Sequence, residues 1–325
     1  MNNATLKKLS EMLGISISTV SRALKDHPDI SDKTKLRVRE LADALDYEPN
    51  TNAIHLRTSK NNLFGLIVPS VANFFYDSFI AAVEEECRKS GYTLLILQSG
   101  DDSRSEQDSV KLCRQNRVAG VFTCLTSGNT NIDLYKKLKN TGVPVIFFDK
   151  VPDDNEEIKV CMADAGSAII AAGTIVEKNK KKLLALFGNP GLSITKKREK
   201  AFLEVTGNNL QVLVHHVDNP EEAKAVTAAA LQQQPDSLFC MSDEILTGAM
   251  KAVLEAGLKV PDDIAVITIS NGFIPKLYHP DITYVETSGY KLGKLAFTTM
   301  MENIAGDQAP KELIVESVLV PGGSI

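Results

Sequence analysis

Residues 6–24 read LKKLSEMLGISISTVSRAL, and the spacing of their apolar positions sets the fold of the N-terminus. Leu6, Leu9, Met12 and Leu13 recur at intervals of three and four, as one face of a helix does. Val20, Ala23 and Leu24 begin a second such series beyond Gly14. Thr5 and Ser16 stand just ahead of these series as hydroxyl N-caps. Ser31 does the same for a third series, Leu36, Val38, Leu41, Ala42 and Leu45. None has the Glu or Gln three residues on that closes a capping box. Three short helices around a small core are therefore predicted for residues 1–49.

Two short helices joined at a glycine, the second rich in hydroxyls and carrying Arg22, have the form of a DNA-reading helix-turn-helix. The hydroxyls and helix-start N–H groups of Thr5, Leu6, Ser16, Thr19, Ser21 and Ser31 suit phosphate oxygens. Ile17 and Ser18 are placed to meet base edges, Ile17 on a thymine methyl and Ser18 by a hydrogen bond. Arg22 suits guanine or a phosphate. A plain helical hairpin with a serine-rich start is the alternative on pattern alone.

The totals restrict the remainder. At 325 residues the chain is long enough for two or three cores, and 43% hydrophobic against 24% charged residues marks an ordinary globular protein. No apolar run approaches the roughly 20 residues that span a bilayer. The opening MNNATLKKLSEML lacks the apolar stretch of a secretory signal, so a cytoplasmic protein without a membrane partner is expected. Five cysteines with no C-x-x-C spacing argue against a disulfide framework or a zinc site. Nothing calls for a cofactor. Net charge is −5, but residues 1–60 carry ten Lys and Arg against eight Asp and Glu, a mild basic bias at the N-terminus.

From Leu63 the pattern changes to short apolar runs: LFGLIVP, YTLLILQ, VAGVFTC, VPVIFFD, KVCMA, KLLALFG, LQVLVHH, DSLFCM and IAVITI. Such runs suit strands buried on both faces of a parallel sheet. Segments 74–90, 103–116, 193–206, 220–233 and 243–256 between them are long enough for crossover helices. The strand number favours two doubly wound α/β sheets, with a seam near residue 159. The expected lobes are 62–158 with 287–312, and 159–286 with 313–325. Ligands of such sheets sit at the carboxyl ends of the strands, which here carry Asn73, Phe75, Tyr76, Lys150, Asp243 and Asn271.

Enzyme chemistry finds little support. LFGNPGLSITKK at 186–197 has the outline of a phosphate loop but lacks G-x-x-x-x-G-K-[ST]; it reads as a loop whose Ser193 and helix start touch ligand. The five histidines show no metalloprotease spacing and no serine-elbow partner.

Residues 4–50, with STVSRAL, Ile30-Ser31 and the Y-x-P-N of Tyr47–Asn50, resemble the headpiece of the lactose-repressor/galactose-repressor (LacI/GalR) family of bacterial transcription regulators. GLIVPSVANFFY, VPVIFFDK, SDEILTGAMKA, PDDIAVITISN and HPDITYVE resemble that family's ligand-binding core in the same order. The resemblance implies a repressor without enzymatic activity. It implies a homodimer on double-stranded operator DNA, with two lobes like a periplasmic sugar-binding protein closing on a sugar or sugar-derived effector. Arg198 matches the arginine that commonly holds effector oxygens in the family. Segment 50–61 would fold on the operator into a hinge helix capped by Asn50, with Leu56 wedged into the minor groove and Ala53 against its wall.

Four positions depart from the family pattern. Ala163 stands where Asp is usual, with Asp164 one place on; Ser167 and Thr268 replace usual glycines; and Ile54 replaces a common arginine. The departures at Ala163 and Thr268 imply an atypical effector or an effector site that is altered or lost, with Asp164 as a substitute only if the strand end shifts. The rival readings are a sugar-binding or transport-linked protein with no DNA role and a sugar-phosphate enzyme on the same core. The first would need a signal peptide, the second a catalytic constellation.

Overall fold

The computed structural model describes residues 5–47, 61–126, 132–152, 154–207, 210–307 and 310–325. They form two compact units, 1–61 and 62–325. In the first, helices α1 (Leu6–Leu13), α2 (Ile17–Leu24) and α3 (Asp32–Ala44) follow the predicted boundaries. Their caps explain the boundaries. The hydroxyl oxygens of Thr5, Ser16 and Ser31 accept from the backbone N–H of Lys8, Thr19 and Thr34, satisfying donors that the first turn leaves free. Gly14 ends α1 with φ at 65°, in the left-handed region that glycine enters without strain.

Leu9, Val20, Ala23, Val38 and Ala42 close the headpiece core, with Leu6 and Tyr47 packed against it. Met12 and Leu36, read as members of the buried faces, are instead exposed. A core this small closes over one residue per turn and leaves the flanking apolar positions outside.

The second unit contains two six-stranded sheets. The first, in spatial order, is β11 (Glu312–Val315), β5 (Ile158–Met162), β4 (Val145–Phe148), β3 (Gly120–Thr123), β1 (Leu63–Val68) and β2 (Thr93–Gln98), all parallel. The second is β12 (Val318–Val320), β10 (Thr283–Glu286), β9 (Ala265–Ser270), β8 (Ser237–Cys240), β6 (Lys182–Phe187) and β7 (Gln211–His216), with β12 alone antiparallel. β1 shows why its run is continuously apolar. Phe64, Leu66 and Val68 enter the core on one face, and Ile67 joins Val121 and Phe147 on the other. The edge strands β2 and β7 are partly exposed, although their apolar runs predict burial on both faces.

The seam also differs from the expectation. β5 and β11 belong to the first sheet, so the chain crosses between lobes at 163 and at 316–317 rather than at 159 and 313; it crosses once more between Glu286 and Gly289. A four- or five-residue apolar run fits the edge of either sheet, and only pairing decides which one takes it.

Helices cover both faces: α4 (Phe74–Lys89), α5 (Ser103–Gln115), α6 (Asp133–Lys139) and α11 (Gly289–Ala305) on the first sheet, and α7 (Asp164–Glu177), α8 (Ser193–Thr206), α9 (Pro220–Ala230) and α10 (Asp243–Glu255) on the second. Among the described residues, no helix is long and apolar enough to cross a membrane.

α9 and α10 approach so closely that a Cβ on Gly248 would collide with the carbonyl oxygen of Pro220. That oxygen is backbone and cannot swing aside. Gly248→Ala should therefore destabilise this lobe by about 1–3 kcal/mol, seen as a lowered unfolding temperature of the full chain.

Candidate functional site

The headpiece presents one candidate surface. α2 begins with Ser16, whose Oγ lies 2.7 Å from Ser18 Oγ and 2.8 Å from Thr19 Oγ1, so the cap and the first-turn hydroxyls form one exposed polar cluster. Ile17 is 46% exposed beside it. Ser18 and Arg22 are exposed, and Thr19 and Ser21 partly so, while Val20 and Ala23 turn into the core. The helix thus buries one stripe and offers the other, with the first-turn N–H groups that the Ser16 cap does not satisfy left for an outside acceptor. Thr5 and Ser31 are likewise exposed at helix starts. Leu6 packs its side chain on the core, so only its backbone N–H at the start of α1 is left to meet a phosphate. Asn50, Ala53, Ile54 and Leu56 lie outside the described residues.

The second candidate is a cleft of about 560 Å³ between the two lobes, at the carboxyl ends of both sheets. From the first lobe come Asn73, Phe75 and Tyr76 at the start of α4, and Asp149 and Lys150 after β4. Asn73 is placed by its own capping role, its Oδ1 accepting from the N–H groups of Phe75 and Tyr76. Its Nδ2 donates across the cleft to Glu244 at 2.7 Å. The Tyr76 hydroxyl donates to Asp149 Oδ2 at 2.7 Å, and burial followed by the Asp149 charge pushes this phenol well above its ordinary pKa. Asp149 itself adopts φ 57°, a conformation that Asp tolerates better than most residues.

The second lobe contributes Arg198, Asp243 and Asn271. The Arg198 side chain is 8% exposed; its Nε and Nη2 donate to Asp164 Oδ1 at 3.1 and 2.9 Å, and its Nη1 to the Met241 carbonyl at 3.2 Å. Burial raises the Asp164 pKa, and the Arg198 charge opposes the rise. Asn271 joins the lobes. Its N–H donates to Asp243 Oδ2, its Nδ2 to the Phe74 carbonyl, and its Oδ1 accepts from the Ser78 hydroxyl and the Gly289 N–H.

Asn73, Phe75, Tyr76, Lys150, Arg198, Asp243 and Asn271 all line the cleft, as their strand-end positions predict. Ser193 does not: it is exposed on the first turn of α8, whose neighbours Leu192 and Ile194 form the wall instead. Asp164 is also off the wall and acts through Arg198. β5 ends at Met162, Ala163 bridges to the helix, and Asp164 at its first position turns its carboxylate onto the guanidinium. Thr268 lies inside the sheet, its hydroxyl donating to the Cys240 carbonyl at 3.0 Å, so it does not reshape the cleft. Sequence reading missed Asp149 and Glu244. Each is the immediate neighbour of a residue it selected, Lys150 and Asp243, and a carboxylate at a strand end was the available signal.

A reading helix in one unit and a two-lobed cleft in the other define a regulator of the helix-turn-helix class with a binding-protein core. The sequence model of bacterial regulatory proteins of the lacI family matches residues 5–50, and that of a periplasmic binding protein-like domain matches residues 175–325. The chain thus combines a helix-turn-helix domain of the lacI family type with a periplasmic binding protein-like domain.

It is 26% identical over 322 residues to the HTH-type transcriptional repressor PurR of Vibrio campbellii, covering 95% of each chain. It is 25% identical over 304 residues to the ribose operon repressor of Halalkalibacterium halodurans, covering 92% of this chain and 90% of that one. These relatives are repressors and not enzymes by name. The fold matches the Lac repressor dimer bound to operator and the anti-inducer ONPF with a TM-score of 0.88 at 21% identity, over 99% of each chain. It matches the CelR–cellobiose complex with a TM-score of 0.71 at 19% identity, over 99% of this chain and all of the other.

Asp243 offers a test of the cleft's electrostatics. Its residue is 5% exposed, its Oδ1 accepts from Ser270 Oγ at 2.5 Å, and burial pushes its pKa up to about 6 despite that bond and the one from Asn271. Glu244 adds to the rise, while the phenols of Tyr278 and Tyr284, which sense the Asp243 charge, stay neutral over the acidic range. A carboxyl with a raised folded-state pKa holds its proton better folded than unfolded. Its stabilising effect is therefore complete in acid and lost as pH climbs through about 6. Replacing it by Asp243→Asn should move relative stability in the variant's favour by on the order of 3 kcal/mol between about pH 4 and pH 7. Thermal unfolding of both proteins across that range checks it; parallel curves would contradict it.

Proposed function

We propose that this protein is a sequence-specific DNA-binding repressor whose hold on its operator is set by a small polyol-type effector in the interlobe cleft. The observation that carries this reading is the presence in one chain of an exposed, capped reading helix and a polar cleft lined from both lobes. A binding protein without a DNA role has no use for the first, and a DNA-binding module alone has none for the second. Its relatives carry repressor names, among them a ribose operon repressor, and solved neighbours hold operator DNA with the anti-inducer ONPF, or cellobiose, which favours a sugar or sugar derivative here.

The protein acts as a homodimer, as the Lac repressor does on its operator, so that two headpieces read two half-sites about one helical turn apart. It works in the cytoplasm, where bacterial DNA lies. Effector closing or rotating the lobes must alter the hydrogen bonds that cross between them, Asn73 to Glu244 and Asn271 to Phe74 and Ser78. Coupling of this kind is typically about 1–3 kcal/mol. Segment 50–61 carries the coupling to DNA, with Leu56 as the minor-groove wedge and Asn50 and Ala53 supporting it.

Selection of bound sequences from random duplexes should return a pseudo-palindrome, with binding that falls steeply as salt rises. Arg22→Ala should weaken binding by about 1–3 kcal/mol, and Leu56→Ala should lose most of the sequence-specific part while effector binding persists. Duplex binding with no sequence preference would sink the repressor reading; undiminished binding by Leu56→Ala would sink the wedge.

A further inference from the structure

We propose that the cleft's ligand carries a positively charged amine, as an aminated sugar does, rather than being an uncharged or phosphorylated sugar. This rests on the reading of the cleft as the effector site.

The first support is charge. The cleft's two cations each have a carboxylate partner: Lys150 Nζ lies 3.1 Å from Asp101, and Arg198 Nη2 lies 2.9 Å from Asp164. Four further carboxylates face the same space, Asp149, Asp218, Asp243 and Glu244. Among the described residues, none of these four has a Lys, Arg or His within 4.0 Å, although Lys150 does feel the charge of its neighbour Asp149. What holds three of them is neutral: the Tyr76 hydroxyl on Asp149, the Asn73 amide on Glu244, and the Ser270 hydroxyl with the Asn271 N–H on Asp243. Neutral donors fix where a carboxylate points without cancelling its charge.

The second support is hydrogen-bonding sense. Most of the Arg198 donors are committed within the protein: three of its five N–H groups go to Asp164 and the Met241 carbonyl. Both ends of the Asn271 amide are engaged by Phe74, Ser78 and Gly289. An incoming molecule therefore meets mainly acceptors, and negatively charged ones. An ammonium group brings three donors and the missing positive charge. A hydroxyl brings a donor but leaves the charge uncompensated in a partly dry site, and a phosphate brings only acceptors and more negative charge.

Calorimetric titration of the full-length protein tests this with glucosamine and galactosamine, putrescine and spermidine, glucose and galactose, and glucose 6-phosphate. At least one hexosamine should bind about tenfold or more tightly than the uncharged sugars, with the phosphate weakest. Asp149→Asn should weaken amine binding more than uncharged-sugar binding. Asp218→Asn, at the exposed rim, gives a second variant with little risk to folding, and unfolding temperatures of both verify that they fold. An uncharged sugar bound as tightly as its aminated counterpart, a preference for the phosphate or for a linear amine, or no hexosamine binding would overturn the proposal. Duplex selection with the same preparation, scored separately, tells failure of this ligand class from failure of the repressor reading.

Discussion

The chain passes between its two sheets three times, at Ala163, between Glu286 and Gly289, and between Val315 and Val318, and this threading governs the rest of the core. Neither lobe is a continuous piece of sequence, so neither can complete its sheet without the other's connections in place. The crossings also bring the carboxyl ends of both sheets to face one gap, which is where parallel strands leave room for a ligand. Asn271 lies at this junction. Its backbone N–H bonds the cleft residue Asp243, while its side chain reaches the starts of α4 and α11 in the opposite lobe. A change in the gap cannot leave those two helices unaffected.

The cleft is built at some cost to folding. Asp243 is ionised above about pH 6 although nearly all of its surface is buried, and the Arg198–Asp164 pair is withdrawn from water. Pairs of this kind seldom gain more than apolar packing would; their use is to hold a group in a defined orientation. The hydroxyl, amide and backbone donors around these carboxylates do the same. Such local departures from an all-apolar interior are expected where binding is required.

Much of this was legible in the sequence, for identifiable reasons. The headpiece could be read because three hydroxyl residues and one glycine mark helix ends by local chemistry that needs no tertiary information, as at Ser16 and Gly14. The strands could be read because a parallel sheet buries both faces, as in LFGLIV. Three kinds of detail were not. Which sheet claims Ile158–Met162 is settled by its pairing with β4 on one side and with the sequence-distant β11 on the other. Leu6, Met12 and Leu36 have the same character in sequence, yet one packs and two remain outside, because a five-residue core has few places. Ser193 and Leu192 are adjacent, and only the pitch of α8 decides which one meets the cleft.

Asp164 bears on how the roles of residues are transferred between related chains. Ala163 stands at the end of the fifth strand, where the resemblance drawn from sequence leads one to expect an acid. The carboxylate is nevertheless present, carried one residue later on the first turn of a helix and bonded twice to Arg198. The guanidinium is held by an acid on the helix that follows the strand, so a tally of identities at one aligned position would miss a carboxylate that the next residue supplies.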